Sequence, residues 1–416
     1  MSQCDAPGLT PVDEALTRIL REVTPIRESE VVPLDQACGR VLAADAISPM
    51  NVPPADNSAM DGYAINPGSA DPERTPIGLF RQRGVVLAGE TFEGVLGRGE
   101  CVRIMTGAAI PEGTRAVVMQ ENTEVIDAGV KIDDPYGVRD GDNIRRAGED
   151  IAKGAVVLSA GRRLTPSDCG LLASIGVAEV EVIRPVRVSL LTTGDELVAP
   201  GTPLSPGKIY ESNSFVLQPI LARLGAEVSV VHAVGDALAD IQQALRDAAV
   251  QADIIITSGG VSVGEADFTR EAVTSLGRLD LWKLAMKPGK PLAFGQVDNA
   301  LFLGLPGNPV SALVTLHQIG LVVLRTLAGE QVAPRLRIPA IAQGRLRKRP
   351  GRTDFQRGIA ELHAAGQWQV RSTGAQGSGI LSSVSQANCF IVLEQERGHV
   401  EAGETVMVEM FDQWLC

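Results

Sequence analysis

The residues best suited to chemistry fall in three glycine-bearing segments. These are Thr192-Thr193-Gly194-Asp195-Glu196, Ser258-Gly259-Gly260-Val261-Ser262-Val263-Gly264 with Asp267 beyond it, and Leu305-Pro306-Gly307-Asn308-Pro309. Glycines let backbone N–H groups converge on phosphate oxygens, and a helix N-terminus behind such a turn favours negative charge. Carboxylates in the same turns can hold a hard cation against that phosphate. Any one of these turns is also ordinary chemistry for joining a strand to a helix. Three at equivalent strand ends of one sheet point instead to a phosphate or nucleotide site, because open parallel sheets bind ligands outside their carboxyl edges. No GxxxxGK[ST] element is present, which excludes a P-loop nucleotidase.

Lys283, Lys287 and Lys290 lie together in residues 282–291, where Pro288-Gly289-Lys290-Pro291 makes a rigid frame. That frame reads as an anion clamp, whereas scattered surface lysines would be merely solvated. Three further segments carry reactive groups: residues 56–64 with Asp61, residues 104–108 with Thr106, and residues 143–150 with Arg145, Arg146, Glu149 and Asp150. A site and a salt-bridge network at a domain boundary both fit them. The basic run Arg345, Arg347, Lys348, Arg349, Arg352 and Arg357 reads as mostly solvent-facing. The four histidines make no HExxH or triad spacing and receive no role.

These groups need a scaffold, and the hydrophobic pattern supplies one. Apolar positions Val12, Ala15, Leu16, Ile19 and Leu20 recur at helical spacing, and a second short helix is predicted over residues 34–43. Residues 47–148 alternate short β-prone runs with Gly, Pro and Asp turns and read as a β-rich domain. Thr165-Pro166-Ser167-Asp168 has an N-cap, a proline at the first helical position and an acid at N3, opening a helix that Gly176 ends. From Val186 apolar strands alternate with amphipathic helices to Leu327, the signature of a doubly wound, mainly parallel sheet. After a proline-bearing linker, residues 341–416 return to strand-like segments and read as a small C-terminal β domain.

The 416-residue chain is long enough for roughly two to four domains. Its formal charge of −12 argues against a general binder of nucleic acid or acidic membrane, so an anionic ligand must be met by local cations. Six cysteines without a CxxC pair read as reduced, mostly buried thiols rather than a zinc site. No secretory n-region or h-region opens the sequence, and no uninterrupted apolar stretch reaches the ~18 residues needed to span a bilayer, so a cytoplasmic location is expected.

Taken together, DNSAMDGYA, RIMTGA, NIRRAGED, TTGDEL, SGGVSVGEADF, MKPGKP and LPGNPVS resemble, in order and spacing, the motifs of the MoeA family, and the E domain of gephyrin is similar. The resemblance implies a mixed segment over 1–46 and 149–185, an inserted β-rich domain over 47–148, a molybdopterin-binding sheet domain over 186–332 and a β-barrel over 333–416. It implies a homodimer in which one subunit's β-rich domain completes the other's site. The implied reaction inserts molybdenum from molybdate into adenylylated molybdopterin with release of AMP. The implied catalytic set is Asp61, Thr106, Asp150, Glu196, Asp267, Lys283 and Lys287, with Glu196, Asp236 and Asp267 handling Mg2+. Arg145, Thr193, Gly194, Asp236, Ser258, Gly259, Gly260, Pro306, Gly307, Asn308 and Pro309 would hold the substrate, and Lys287, Lys290, Ser311, Arg357 and Ser378 the molybdate. A molybdopterin adenylyltransferase and molybdoenzyme maturation factors are the implied partners, without nucleic acid or membrane. Two other readings are open: an adenylyltransferase, whose sheet domain is similar, and a gephyrin-like scaffold without turnover.

Overall fold

The computed structural model describes residues 8–416 apart from 69–77, 133–136, 236, 261–267, 365, 413 and 416. Helix Val12–Leu20 forms on the expected spacing and buries Ala15 and Ile19 against the sheet domain. The chain then pairs strand Ser29–Pro33 antiparallel with Glu179–Ile183, and Ala46–Ile47 with Val156–Leu158. Two segments distant in sequence thus share one core of Val32, Leu42, Leu164, Leu172 and Val182. Thr165 caps helix Pro166–Ser174: its side chain accepts the Asp168 N–H, and Asp168 accepts the Thr165 N–H in return.

The helix expected over 34–43 is replaced by a single 3-10 turn, Leu34–Gln36. Gly39 takes φ +82 and donates its N–H to the Leu164 carbonyl at 2.8 Å, so the helical ladder cannot continue. Val41 and Leu42 instead bridge to Arg163 and Val182. Between these segments the β-rich part forms a six-stranded sheet in the order Ala116–Met119, Gly62–Asn66, Glu100–Ile104, Leu79–Val86, Gly129–Ile132 and Thr123–Ile126.

The central sheet has the order Glu227–Val234, Arg187–Thr193, Ile254–Ser258, Ala300–Leu305, Pro291–Val297 and Gly277–Lys283. The first four strands are parallel, and the last two add an antiparallel hairpin at the edge. Continuous apolar runs follow from burial of both faces. Leu190, Ile254, Ile256 and Leu303 enter one core with helices Asn213–Arg223 and Pro309–Thr315. Leu191, Ile255 and Phe302 point the other way, against helices Leu238–Gln251 and Phe268–Leu276. The last helix of the sheet domain is one 19-residue helix, Pro309–Leu327, with a π-helical turn at Leu316–Gly320. It is apolar and long enough to cross a bilayer, but 83% of it is buried inside the protein, so it is a core helix. Gly320 permits that packing: a side-chain carbon there would stand 3.1 Å from Leu303.

The C-terminal part closes into a five-stranded barrel: Thr353–Leu362, Trp368–Ser372, Ile338–Ala342, Thr405–Met410 and Cys389–Leu393, which pairs back to the first. A sixth strand, Met286–Lys287, is lent by the sheet domain and pairs with Thr353 and Asp354. Cys101 and Cys389 are buried, and burial pushes each thiol up to about 12. The expectation of mostly buried thiols fails at Cys38, which is exposed on the turn that replaced the predicted helix.

Candidate active site

Register brings the three glycine-bearing turns together. Thr192 pairs with Ser258, and Ser258 with Leu305, so the last rung of the parallel sheet launches all three at once. Beyond that rung lies a cleft of about 620 Å³ lined by Thr193, Gly194, Glu196, Ser258, Gly259, Gly260, Pro306, Gly307, Asn308, Pro309 and Ser311. They include every residue expected to hold the substrate save Arg145 and Asp236, joined by Glu196 of the expected Mg2+ set and Ser311 of the expected molybdate set. Its size suits a nucleotide-linked ligand.

The glycines are required by space. A side chain at Gly259 would stand 2.8 Å from the Thr193 carbonyl oxygen, and one at Gly260 2.0 Å from Thr269 Oγ1; both residues hold positive φ, +105 and +65. At Gly194 a side chain would fall 2.6 Å from Glu196 Oε2. Asn213, at the head of helix Asn213–Arg223, ties the second turn to the third. Its Nδ2 donates to Ser258 Oγ and to the Gly307 carbonyl, each at 2.7 Å. Neither Asn213 nor Thr269 is among the expected site residues. The available signal was the polar run Glu211-Ser212-Asn213-Ser214 ahead of an apolar helix.

Among the described residues, no three His, Cys, Asp or Glu side chains converge as metal ligands. Asp236 and Asp267 lie outside the described residues. Glu196 is exposed at the cleft wall, and the Asp195 and Asp240 carboxylates come within 3.8 Å of the point where a Gly235 side chain would stand. Magnesium on a pyrophosphate needs only one or two protein carboxylates, because phosphate and water oxygens fill the other positions. The donor set at this edge therefore fits that cation.

The lysine frame and the barrel meet beside the cleft. Pro291 lines it; Lys283 and Lys290 are exposed, and their carbonyls accept the N–H groups of Thr10 and Leu284. Gly289 admits no side chain, since Thr315 Oγ1 would be 2.4 Å away. Lys287 lies 3.6 Å from Asp354 in the shared strand pair. The expected solvent-facing basic run is corrected at two positions: Arg357 is 1% exposed and Lys348 2%. Arg357 faces inward because Thr353–Leu362 is a barrel strand, whereas Lys348 lies ahead of that strand and is drawn in by backbone carbonyls. Lys348 Nζ spends its donors on the carbonyls of Arg349, Gln395 and Arg397. Arg357 donates to Ser383 Oγ and to the Gly377 carbonyl, with neutral partners only. Burial pushes its guanidinium down to about 10, with Asp354 opposing. The neighbouring Ser378 carbonyl accepts the Val310 N–H at 3.0 Å, which sets Arg357, Ser378 and Ser311 along one path from barrel to cleft.

The β-rich residues stand apart. Asp61 Oδ1 accepts both the N–H and the hydroxyl of Thr106, at 2.7 and 2.8 Å, and the Thr106 N–H holds its carboxyl below the usual range. Arg146 pairs with Asp56 at 2.6 Å, an ion pair within the β-rich part. The Arg145 and Asp150 side chains are exposed. Asp61, Thr106, Arg145 and Asp150 do not line the cleft of their own chain.

Comparison with known proteins agrees with this architecture. Residues 10–176 match the MoeA N-terminal region (domain I and II), residues 189–326 a probable molybdopterin binding domain, and residues 339–411 the MoeA C-terminal region (domain IV). The chain is 46% identical to a molybdopterin molybdenumtransferase of Haemophilus influenzae, over 97% of its length and 99% of that protein. It is 33% identical to gephyrin of Dictyostelium discoideum, over 96% of its length and 62% of that protein. The crystal structure of a molybdopterin biosynthesis moeA protein from Pyrococcus horikoshii superimposes with a TM-score of 0.81 at 28% identity, covering 97% of this chain and all of that one (100%). With three regional matches spanning the sequence and near-complete coverage by a close relative, the chain belongs to the MoeA family of molybdopterin molybdenumtransferases.

Proposed function

We propose that this enzyme inserts molybdenum from molybdate into adenylylated molybdopterin, cleaving the phosphoanhydride and releasing AMP. The observation that carries the proposal is the single sheet rung that opens three glycine turns into one cleft, with a buried arginine that hydrogen-bonds only neutral groups in the adjoining barrel. Backbone N–H groups of the turns at Gly194, Gly260 and Gly307 would bind the pyrophosphate, with Gly259, whose own N–H donates to the Leu305 carbonyl, Thr193, Ser258, Pro306, Asn308 and Pro309 shaping the cleft around the ligand. Lys287, Lys290, Ser311, Arg357 and Ser378 would hold the tetrahedral oxyanion, and Lys283 would orient the two substrates. Glu196, with Asp236 and Asp267, would hold Mg2+, which when bound neutralises the pyrophosphate charge.

Asp61, Thr106, Arg145 and Asp150 would complete the cleft of a second subunit, which accounts for reactive side chains that do not line the cleft of their own chain. The working unit would be a cytoplasmic homodimer that receives adenylylated pterin from an adenylyltransferase and passes its product to maturation factors. The boundaries 1–46 with 149–185, 47–148, 186–332 and 333–416 would delimit its parts. A lone adenylyltransferase is the weaker reading, because the relatives match the chain beyond its sheet domain. AMP release from adenylylated molybdopterin is the test: release that requires molybdate is expected. Adenylylation of molybdopterin from ATP without molybdate-dependent AMP release would overturn the proposal.

A further inference from the structure

Asp354 is a buried carboxylate, 3% exposed, at the point where the lysine frame joins the barrel. Its Oδ2 lies 3.6 Å from Lys287 Nζ and 3.4 Å from the Gln356 amide. Its field also reaches Lys348 and Arg357. These neighbours differ in what they offer. Lys348 has committed its donors to three carbonyls and contributes only charge. Arg357 bonds neutral groups alone, and Lys287 has a half-exposed side chain that can turn toward a ligand. Asp354 is thus a buried carboxylate set directly against the cation that a tetrahedral dianion would have to meet.

We propose that Asp354 is a positioning residue of the oxyanion pocket: it holds Lys287 in place before the anion arrives and lowers the positive charge beside it, so that the anion can later leave. The inference rests on the assignment of Lys287, Lys290, Ser311, Arg357 and Ser378 to molybdate. A carboxylate beside an anion site weakens binding by direct repulsion, and in a buried setting that repulsion is only partly screened. Its presence favours release over maximal affinity, as turnover requires.

The test is equilibrium dialysis of the intact protein with molybdate and, separately, sulfate, together with kcat and KM for molybdate. In Asp354→Asn both oxyanions bind about tenfold tighter and KM falls in proportion while kcat does not rise. Unchanged or weaker binding in a folded Asp354→Asn protein overturns the proposal. Asp354→Glu keeps the charge and holds both affinities within about twofold; a tenfold change there overturns it even if the asparagine variant does not fold. Arg357→Met separates the two levels. If it binds molybdate like the wild type, the pocket assignment itself fails; if it loses molybdate while Asp354→Asn is unaltered, only the role of Asp354 falls. A purely structural role for Asp354 would shift thermal unfolding and leave the oxyanion affinities and the split between KM and kcat in place.

Discussion

Replacing Gly259 by alanine adds one carbon at the most crowded point of the cleft. The new Cβ would stand 2.8 Å from the Thr193 carbonyl oxygen and 3.0 Å from its hydroxyl, where ordinary contact begins at 3.4 Å. Thr193 is held in the buried sheet, so the turn itself must back away, by about 0.6 Å, the difference between those distances. The backbone also sits at φ +105, a conformation that costs a side-chain-bearing residue about 1–3 kcal/mol. A phosphate hydrogen bond of about 2.9 Å stretched by that amount reaches about 3.5 Å and is effectively lost. Misplacement on this scale lowers kcat/KM by about 100-fold. The assay is molybdate-dependent AMP release under steady-state conditions, paired with thermal unfolding, in which the midpoint falls by a few degrees. Gly307→Ala is the control: its Cβ meets only Gly259 Cα at 3.6 Å, an ordinary contact, so its thermal midpoint stays at the wild-type value. If Gly259→Ala turns over within about threefold of the wild type, the glycine turns do not hold the pyrophosphate.

Three further outcomes can be checked. Asn213→Ala removes two hydrogen bonds of 2.7 Å, about 1 kcal/mol each, and should lower kcat/KM by ten- to thirtyfold; wild-type kinetics would show that the bridge is dispensable. Asp61→Ala and Glu196→Ala should each abolish AMP release with the mass in solution and thermal unfolding nearly unchanged, and full activity in either variant would remove that residue from the site. Burial alone would raise the Asp168 carboxyl, but hydrogen bonds from Arg162 and from the Thr165 N–H and hydroxyl outweigh it and hold it below its ordinary value. Its stabilisation is therefore complete above the unfolded-state value near pH 4 and lost as pH falls through the depressed folded value. Asp168→Ala should cost about 1–2 kcal/mol at neutral pH and less in acid, measured by denaturant unfolding; an equal cost at both pH values would contradict the linkage.

The elements read most directly from sequence are those specified locally. Thr165 to Asp168 carries its own cap, and the apolar runs of the parallel strands need no partner to be recognised. Residues 34–43 were misread because apolar spacing alone does not register that Gly39 bonds a carbonyl over a hundred residues away. The edge hairpin Gly277–Lys283 with Pro291–Val297 escaped because nothing in the strand–helix rhythm announces an antiparallel pair. The cleft followed from its glycines, but Asn213 and Asp354 did not. Each acts through a neighbour that only the tertiary fold supplies. The inward turn of Lys348 and Arg357 was hidden for the same reason: a basic run looks solvated until the fold buries Arg357 in a barrel strand and gives Lys348 the carbonyls of Gln395 and Arg397.

A shared launching rung also restricts how this enzyme can change. Thr192, Ser258 and Leu305 are neighbours in one hydrogen-bonded row, so a shift in any of these strands carries all three turns with it. New ligand preferences cannot readily be reached by moving one wall of the cavity at a time. They are far more accessible through side chains that approach from outside the row, such as Asn213 and the barrel's Arg357, where an exchange leaves the row itself intact.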